Sequence, residues 1–502
     1  MVLTCRQMQD LEEAAFARGV SAESLMEEAG AQIAKAILQF FPKPGAAILY
    51  LGKGNNAGDA LVAARFLHQA GWQIYVRPAF EIEAFKPLPA KHWQTLQAWL
   101  SSLKIGETFA NLSSDIVLLD GLLGIGASGS LRGDLAKAAE EMNQLRKIRH
   151  AVTFALDLPS GLDSNTGVPG DVCVEADFTI AIAHAKTCLL EDAAVSAVGR
   201  LIVAPLRELS GAQDVSFAEV LTVESLLPTL PRRSFDFHKG KAGRVGLIAG
   251  SPGFLGAAIL ASTGALRGGA GLVTLYVKED IYPLIAVQTS PEIMVKKVKS
   301  YREVLDDPLD ALAIGPGLGK AHDDEILEVI AAAEVPLILD ADALNILARN
   351  GLKVLQARTK PTLLTPHPGE MARLAEHLQD YQRGDSRRKT SETFNSQFPA
   401  ATLLLKGSRT IISEAKRPVS FNTTGNAGMA SGGMGDVLTG LCAALVGQKV
   451  DLYEAACLGA WLSGRAAEIA VAEKKQSQES LVAHDVLDHL GAAFADLKRQ
   501  VF

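Results

Sequence analysis

The sequence predicts an α/β protein of two three-layer αβα domains, and three observations predict it. Short aliphatic strands alternate with helical stretches, the pattern of parallel strands joined by crossover helices that cover both sheet faces. Between about Leu206 and Phe237 that series is interrupted by a mixed segment containing LPTLPRRSFDFHKG, after which it starts again. The 502 residues are also too many for one ordinary core. A boundary is expected near residue 215, giving domains 1–215 and 216–502.

The first series should contain strands at Ala46–Leu51, Gln73–Val76, Ile116–Leu119, Val152–Leu156 and Phe178–Ala183, with helices such as Ala60–Gln69 and Leu135–Lys147. The second should contain Arg244–Gly250, Leu272–Val277, Ala311–Ile314, Pro336–Leu339, Thr362–Leu364, Thr402–Leu405 and Thr410–Ile412. At the N-terminus, Thr4 and Gln7 have capping-box spacing and open an amphipathic helix; no basic segment followed by an apolar one marks a secretory signal. No internal repeat and no low-complexity tract interrupts the pattern.

Composition excludes several classes of function. A formal charge of -7 and no basic stripe argue against a nucleic-acid partner. No apolar run is long enough to cross a bilayer, so no membrane partner is expected. Five scattered cysteines without a CxxC pair indicate neither a disulfide frame nor a zinc knuckle. A cytoplasmic protein is expected.

Open parallel sheets bind ligands beyond the carboxyl ends of their strands, so polar and glycine-rich strand ends deserve most weight. After the first strand comes GKGNNAGDALVAARFL, where glycines and amides let backbone approach a ligand at a helix start. A plain strand-to-helix turn capped by Asp59 is the bland alternative, but two adjacent asparagines exceed what a cap requires. DGLLGIGASGSLRGD contains GxGxxG at Gly124, Gly126 and Gly129. Asp120, Leu122 and Leu123 separate these glycines from the expected strand, and no acidic residue ends a following strand about twenty residues on. A dinucleotide-binding fingerprint is therefore rejected in favour of another phosphate-approaching loop. DLPSGLDSNTG puts Asp157 at a strand end, where one stiffly held carboxylate suffices for proton transfer; local capping by Asp157 and Ser160 is the alternative. Asn56, Asp120 and Ser160 could share an oxygen-rich cation site.

In the second half, GSPGFLGAAILAS and AIGPGLG again place small residues at strand ends, and LILDADALN places Asp340 and Asp342 at another. LLTPHPGEMARL offers His367 and Glu370 at a helix start favoured by its prolines; first-turn dipole compensation and a structural hydrogen bond are the simpler accounts. Lys406 and Gly407 end a strand, where a cation could meet phosphate or merely decorate a hairpin. No GxxxxGK[ST] is present, which excludes a P-loop. Finally, NTTGNAGMASGGMGDVLTG is either a mobile turn before a buried helix or an anion cradle with Asp436 as its working group.

SGGMGDVLTG resembles the GxGD signature of ribokinase-like kinases, in which the Asp is a base and the preceding amides form an anion hole. With HKGKAGRVGLIAGS, GPGLG, DADALN, TPHPGE, LKGSRT and NTTGNAGMASGGMGD in order, the second half resembles the ADP-dependent NAD(P)HX dehydratases. GNNAGDA, DGLLGIGASGS and DLPSGLDSNTG in order resemble the NAD(P)H-hydrate epimerases, which occur fused to the dehydratases in bifunctional repair enzymes. The resemblance covers essentially the whole chain and implies a Rossmann-like first domain and a ribokinase-like second one.

It further implies that the first domain interconverts the R and S forms of NADHX and NADPHX, and that the second dehydrates the S form with ADP as phosphoryl donor. Asn55, Asn56, Ala57, Gly58 and Asp59, then Gly124, Ile125, Gly126, Ala127, Ser128, Gly129 and Ser130, and Asp157 would contact the hydrated coenzyme. Asn56, Asp120 and Ser160 would surround a potassium ion. In the second domain Ala257, Gly317, His367 and Asp436 would contact the substrate, and Lys406, Gly407, Ser408, Arg409, Thr410 and Gly435 the adenine nucleotide. Asp436 would deprotonate the ring hydroxyl as it attacks the donor phosphate, and phosphate elimination would restore the dihydropyridine. Asp157 would be the acid/base of the epimerase. Magnesium is expected with the donor near Glu370, and a homo-oligomer is expected. Ala57 and Ala60 stand where the family usually has glycine, and Ala57 should add a methyl where backbone approaches phosphate. Ile125 and Met434 stand where threonine is common.

Two rivals fit part of the pattern. GxGD permits a vitamin-type kinase that stops at the phosphorylated product, although His367 stands where such kinases commonly have Asn. The first domain could also be a non-catalytic binding module, against which the retained Asp157 and the acidic balance speak.

Overall fold

The computed structural model describes the chain except residues 100–103, 106–114, 127–128, 211–217 and 474–475. The expected boundary at residue 215 lies outside the described residues. Those described divide into one compact unit of Met1–Val220 with Phe502, and a second of Leu221–Val501.

In the first unit, helix α1 (Cys5–Ala17) opens with the expected reciprocal cap: Gln7 N donates to Thr4 Oγ1 over 3.1 Å and Thr4 N to Gln7 Oε1 over 2.8 Å. Helix α2 (Ala22–Phe40) follows, and then the sheet. Its strands are β1 (Ala46–Leu51), β2 (Gln73–Pro78), β3 (Lys104–Ile105), β4 (Ile116–Gly121), β5 (Val152–Leu156), β6 (Phe178–Ile182) and β7 (Arg200–Ala204). They pair in parallel in the order β3-β2-β1-β4-β5-β6-β7. The order reverses between β1 and β4, so a cleft is expected beyond the ends of those two strands.

Burial on both faces explains the near-continuous apolar strands. Ala47, Leu49 and Leu51 of β1 pack with α2 and α3 (Asn55–Gln69). Ala46, Ile48 and Tyr50 pack on the other face with Met142 of α4 (Asp134–Arg149). Asp120 corrects one expectation: β4 runs through Gly121, so this carboxylate belongs to the strand end rather than to a loop after it.

The second unit contains β8 (Arg244–Ile248), β9 (Leu272–Val277), β10 (Ile293–Lys297), β11 (Ala311–Ile314), β12 (Leu337–Leu339), β13 (Thr362–Leu364), β14 (Ala401–Leu405), β15 (Thr410–Ser413) and β16 (Val419–Asn422). Their order is β16-β15-β14-β13-β12-β11-β8-β9-β10; β15 is antiparallel to both its neighbours and the other pairings are parallel. Helices α5 (Leu255–Arg267), α6 (Asp342–Asn350), α7 (Pro368–Ala375), α8 (Met434–Gly447), α9 (Leu452–Ala472) and α10 (Ala483–Arg499) cover it. Almost every residue of α8 after Asp436 is buried, so the aliphatic run following GGMGD is a central core helix.

Candidate functional sites

In the first unit the sequence-predicted groups converge beyond β1, β4 and β5. Asp120 Oδ2 accepts from Ser160 N and Asp120 Oδ1 from Ser160 Oγ, both over 2.7 Å. Leu123 N donates to Ser160 Oγ over 3.0 Å, tying the glycine loop to the DLPSGLD turn. Asn56 Nδ2 reaches the carbonyls of Leu123 at 2.7 Å and Leu156 at 3.1 Å. Asn56, Asp120 and Ser160 thus meet in one buried, oxygen-rich cluster. Burial pushes the Asp120 carboxyl up to about 6, against hydrogen bonds from Ser160 and Leu122.

Helix α3 begins at Asn55 after Gly54, and no side chain caps its first amides, which leaves its positive end available to an anion. Gly126 and Ser130 are exposed, and an added side-chain carbon would meet no neighbour within 4 Å at Gly126 or Gly129. Gly124 stands against Asn56, and Ile125 packs against the small core formed by α1 and α2. Ala127 and Ser128 lie outside the described residues.

Ala57 answers the question its substitution raised. It is fully buried in the core with Ala60, beneath α3, so its methyl faces α2 and the sheet rather than the cleft. Gly58 is close-packed against Met26 of α2.

Asp157 follows β5 with φ of 66°, an uncommon left-handed conformation for a non-glycine residue. Its Oδ1 accepts from Ile182 N over 3.2 Å and from the ammonium of Lys186. Lys186 is 1% exposed. Burial, reinforced by the Asp157 charge, holds the Asp59 carboxyl well above its usual range. The same two causes push Glu12 of α1 up to about 7. Lys186 and Glu12 were not among the expected site residues. A lysine in the apolar run AIAHAKTCLL was the available signal for Lys186.

In the second unit the site gathers beyond β8, β11, β12, β13 and β14. Asp436 lies in the first turn of α8, whose N-cap Gly433 has φ of 89° and supplies no side-chain cap. That left-handed backbone suits glycine, and no side chain caps the amides that open α8. Burial first, and then the Asp340 carboxylate, push Asp436 up to about 7.

Lys406 sits in the turn between β14 and β15, and its side chain is largely buried. It donates to Asp340 Oδ1 over 2.7 Å, and Thr439 of α8 donates to Asp340 Oδ2 over the same distance. Burial works against its charge, but Asp340, Glu370 and Asp436 hold Lys406 above its ordinary value. A side-chain carbon on Gly435 would lie 3.1 Å from that ammonium, so a larger residue there would crowd Lys406. Elsewhere in the turn Gly407 and Ser408 are exposed, and Arg409 is 1% exposed with its carbonyl accepting from Arg387. Thr410 Oγ1 donates to Gly407 O over 3.3 Å.

Ala257 of α5 and Gly317 face one another: a side-chain carbon on Gly317 would come within 2.9 Å of the Ala257 methyl. His367 does what the simpler account of it predicts. Its Nδ1 accepts from Gly369 N and Glu370 N at 3.0 and 3.4 Å, and Glu370 Oε2 accepts from His367 N over 2.8 Å. Accepting at Nδ1 requires the neutral ring with its proton on Nε2. Burial and the nearby Lys406 lower its pKa accordingly. Among the described residues no group of three His, Cys, Asp or Glu side chains is arranged to hold a metal ion.

Comparison with known proteins adds an independent line. A family model described as NAD(P)H-hydrate dehydratase matches residues 245–490, and one described as YjeF-related protein N-terminus matches residues 22–188. The chain is 37% identical over 511 residues to a bifunctional NAD(P)H-hydrate repair enzyme of Moorella thermoacetica, covering 95% of this chain and 93% of that one. It is 33% identical over 496 residues to the enzyme of the same description in Coxiella burnetii, covering 97% of each. Among solved structures it is similar, at 31% identity and a TM-score of 0.49, to an ADP/ATP-dependent NAD(P)H-hydrate dehydratase of Bacillus subtilis co-crystallised with ATP and Mg2+. That match covers 57% of this chain and 100% of the other.

Proposed function

The chain belongs to the bifunctional NAD(P)H-hydrate repair enzyme family, and from that premise we propose how its residues divide the work. The protein repairs hydrated nicotinamide coenzymes: one domain epimerises R- and S-NAD(P)HX, and the other dehydrates the S form to NAD(P)H with ADP as donor. We assign 1–215 to the epimerase and 216–502 to the dehydratase.

One observation carries the dehydratase assignment: a carboxylate tuned to about 7 at the uncapped start of a buried helix, Asp436 on α8. A base of that kind takes a proton efficiently near neutral pH. As the ring hydroxyl attacks the terminal phosphate of ADP, Asp436 takes its proton and the Gly433–Gly435 amides stabilise charge on the phosphoryl group. Elimination of phosphate then restores the dihydropyridine. Gly407, Ser408 and Thr410, with Lys406 and Gly435, border the nucleotide, to which Arg409 offers its main chain. Ala257, Gly317 and His367 border the substrate; with Nδ1 spent on the helix cap, the His367 ring proton is on Nε2, 3.5 Å from Glu370 Oε1.

Magnesium, when bound, neutralises charge on the transferring phosphoryl group. The protein offers carboxylates at Asp340 and Glu370 but no three-ligand cage among the described residues. The donor set therefore suits an ion held largely by phosphate and water. In the first domain, Asn56, Asp120 and Ser160 offer oxygen ligands and no thiol or imidazole, which suits a hard cation such as potassium. Asn55 and the loop from Gly124 to Ser130 would cradle the coenzyme phosphates, and Asp157 would transfer the proton. A cytoplasmic location and a homo-oligomer complete the proposal; fractionation and light scattering test them.

The main experiment incubates the protein with R,S-NADHX and ADP and follows NADH absorbance. Complete conversion, faster than spontaneous epimerisation allows, is expected of two working sites. No conversion would remove the dehydratase assignment. Accumulation of a phosphorylated product would instead favour the kinase reading.

A further inference from the structure

The turn that borders the nucleotide is held in part by a residue outside every motif. Leu405 pairs with Ile411 across the antiparallel strands β14 and β15, which leaves Lys406–Thr410 as the turn between them. Its first limb is fixed where Lys406 N donates to the Pro366 carbonyl over 2.8 Å. Its last limb is fixed from another element: Arg387 Nη1 donates to the Arg409 carbonyl over 3.0 Å. Inside the turn, Thr410 Oγ1 reaches the Gly407 carbonyl over 3.3 Å, a long bond for a hydroxyl donor.

Arg387 opens the helix Arg387–Gln397, which is tied to the sheet. Ser386 caps the helix by accepting from Lys389 N over 3.2 Å, and Ser391 Oγ donates to the Arg387 carbonyl over 2.8 Å. Ser391 and Phe394 are fully buried, and Asn395 Nδ2 donates to the carbonyl of Ala401, the first residue of β14, over 3.1 Å. The guanidinium thus reaches the turn from a fixed backbone.

Gly407 marks where that guanidinium lies. Its backbone is not left-handed, so conformation alone would admit a larger residue. A side-chain carbon there would collide with Arg387 Nη1 and, chain neighbours aside, would meet no other residue within 4 Å. The guanidinium occupies the space of the missing side chain. It also brings positive charge beside backbone that borders an anionic ligand.

We propose that Arg387 is a positioning residue of the nucleotide site: it holds the Lys406–Thr410 turn in the shape that receives ADP, and Gly407 is glycine to admit it. This rests on the dehydratase assignment above. A turn ordered before its ligand arrives loses less freedom on binding, so the contribution of Arg387 appears in affinity for the nucleotide. Asp436 and the Gly433–Gly435 amides carry the reaction itself, so the rate at saturating ADP is set elsewhere.

Calorimetry with ADP and steady-state dehydration of purified S-NADHX test this on the full chain. Arg387→Ala should weaken ADP binding about tenfold and raise the KM for ADP to match. Its kcat at saturating ADP and its KM for S-NADHX should change less than about threefold. Arg387→Lys keeps the charge and a donor and should recover most of the loss. Gly407→Ala, at an exposed position, should displace the flexible guanidinium and weaken ADP binding by about the same factor. Because each change removes the same contact, the double variant should bind ADP no more than about twofold worse than either single one. Losses that multiply, or wild-type ADP affinity in both Arg387→Ala and Gly407→Ala, would overturn the proposal. A loss confined to kcat, or an equal rise in the KM for S-NADHX, would overturn it too. Failure of the wild type to bind ADP would overturn it together with the dehydratase assignment, whereas unaltered variants of an ADP-binding wild type would overturn it alone.

Discussion

In the first domain the buried lysine pairs with the proposed catalytic carboxylate itself, Lys186 with Asp157. In the second, Lys406 pairs with Asp340 and stands beside Asp436 without neutralising it. Residue types alone would make the two sites look alike: each has one lysine, several carboxyls and a glycine-rich helix start. The partner chosen by the lysine sets the chemistry. Lys186 takes Asp157 as its partner, and the Asp157 carboxylate adds to burial in raising Asp59 and Glu12. Pairing with Asp340 leaves Asp436 to be raised by burial and by the same Asp340, to about 7. One site thus holds an ion pair amid carboxyls raised by burial, and the other holds a single base poised near neutrality.

The contrast breaks most sharply if either carboxylate proves dispensable. Asp436→Asn should lower ADP-dependent dehydration at least about 1,000-fold while ADP affinity, by calorimetry, changes less than about threefold. Loss of ADP binding in a folded variant would deny Asp436 its role as base. Asp157→Asn should leave dehydration of the S epimer intact and stop a racemic mixture at half conversion, apart from spontaneous epimerisation. Full conversion at the wild-type rate would place the epimerase elsewhere.

The pairing itself is tested by pH. Because Asp436 acts ionised, the wild-type dehydration rate should rise with pH and reach half its plateau near 7. Lys406 lowers that value and Asp340 raises it, so Lys406→Met should move the midpoint up and Asp340→Asn should move it down. Lys406→Met should also lose about 100-fold in plateau rate. Identical profiles in all three proteins would show that the ion pair does not tune the base.

Stability gives a smaller signal of known sign. A carboxyl raised in the folded state contributes stability below its unfolded value, and that contribution is lost as pH rises through about 7. Asp436→Asn should therefore melt higher than the wild type above neutrality, by a few degrees in calorimetry. A lower melting temperature there would mean that the ionised Asp436 is compensated. The smallest effect concerns the methyl that the motif comparison made suspect. Ala57→Gly should cost about 1 kcal/mol of stability by denaturant titration, because a glycine in the first turn of α3 loses more entropy on folding and leaves a small void. Epimerisation should not improve; a clear gain would show that the methyl obstructs the ligand after all.

Much of this architecture was legible in the residues. Alternating aliphatic strands and helices, the Thr4–Gln7 cap and the polar strand ends were all readable, because periodicity and capping are local. Strands β3, β7, β10 and β16 were not anticipated. In β10 the reason is visible: as an edge strand it leaves Met294 exposed and ends in two lysines, so its sequence carries little apolar signal. Asp120 was placed one step too far along the chain because a strand's last residues look like loop when they face a cleft.

By itself the sequence determined two α/β units, the helix entry that carries Asp436, and the set of polar residues gathered at the strand ends. The tertiary structure decided that the Ala57 methyl faces the core, that His367 spends Nδ1 on a helix cap, and which carboxylate each lysine takes. Asp340 and Lys406 lie 66 residues apart, and Asp157 and Lys186 lie 29 apart. No local pattern links such pairs, since only strand order and burial set their separation and the dielectric between them.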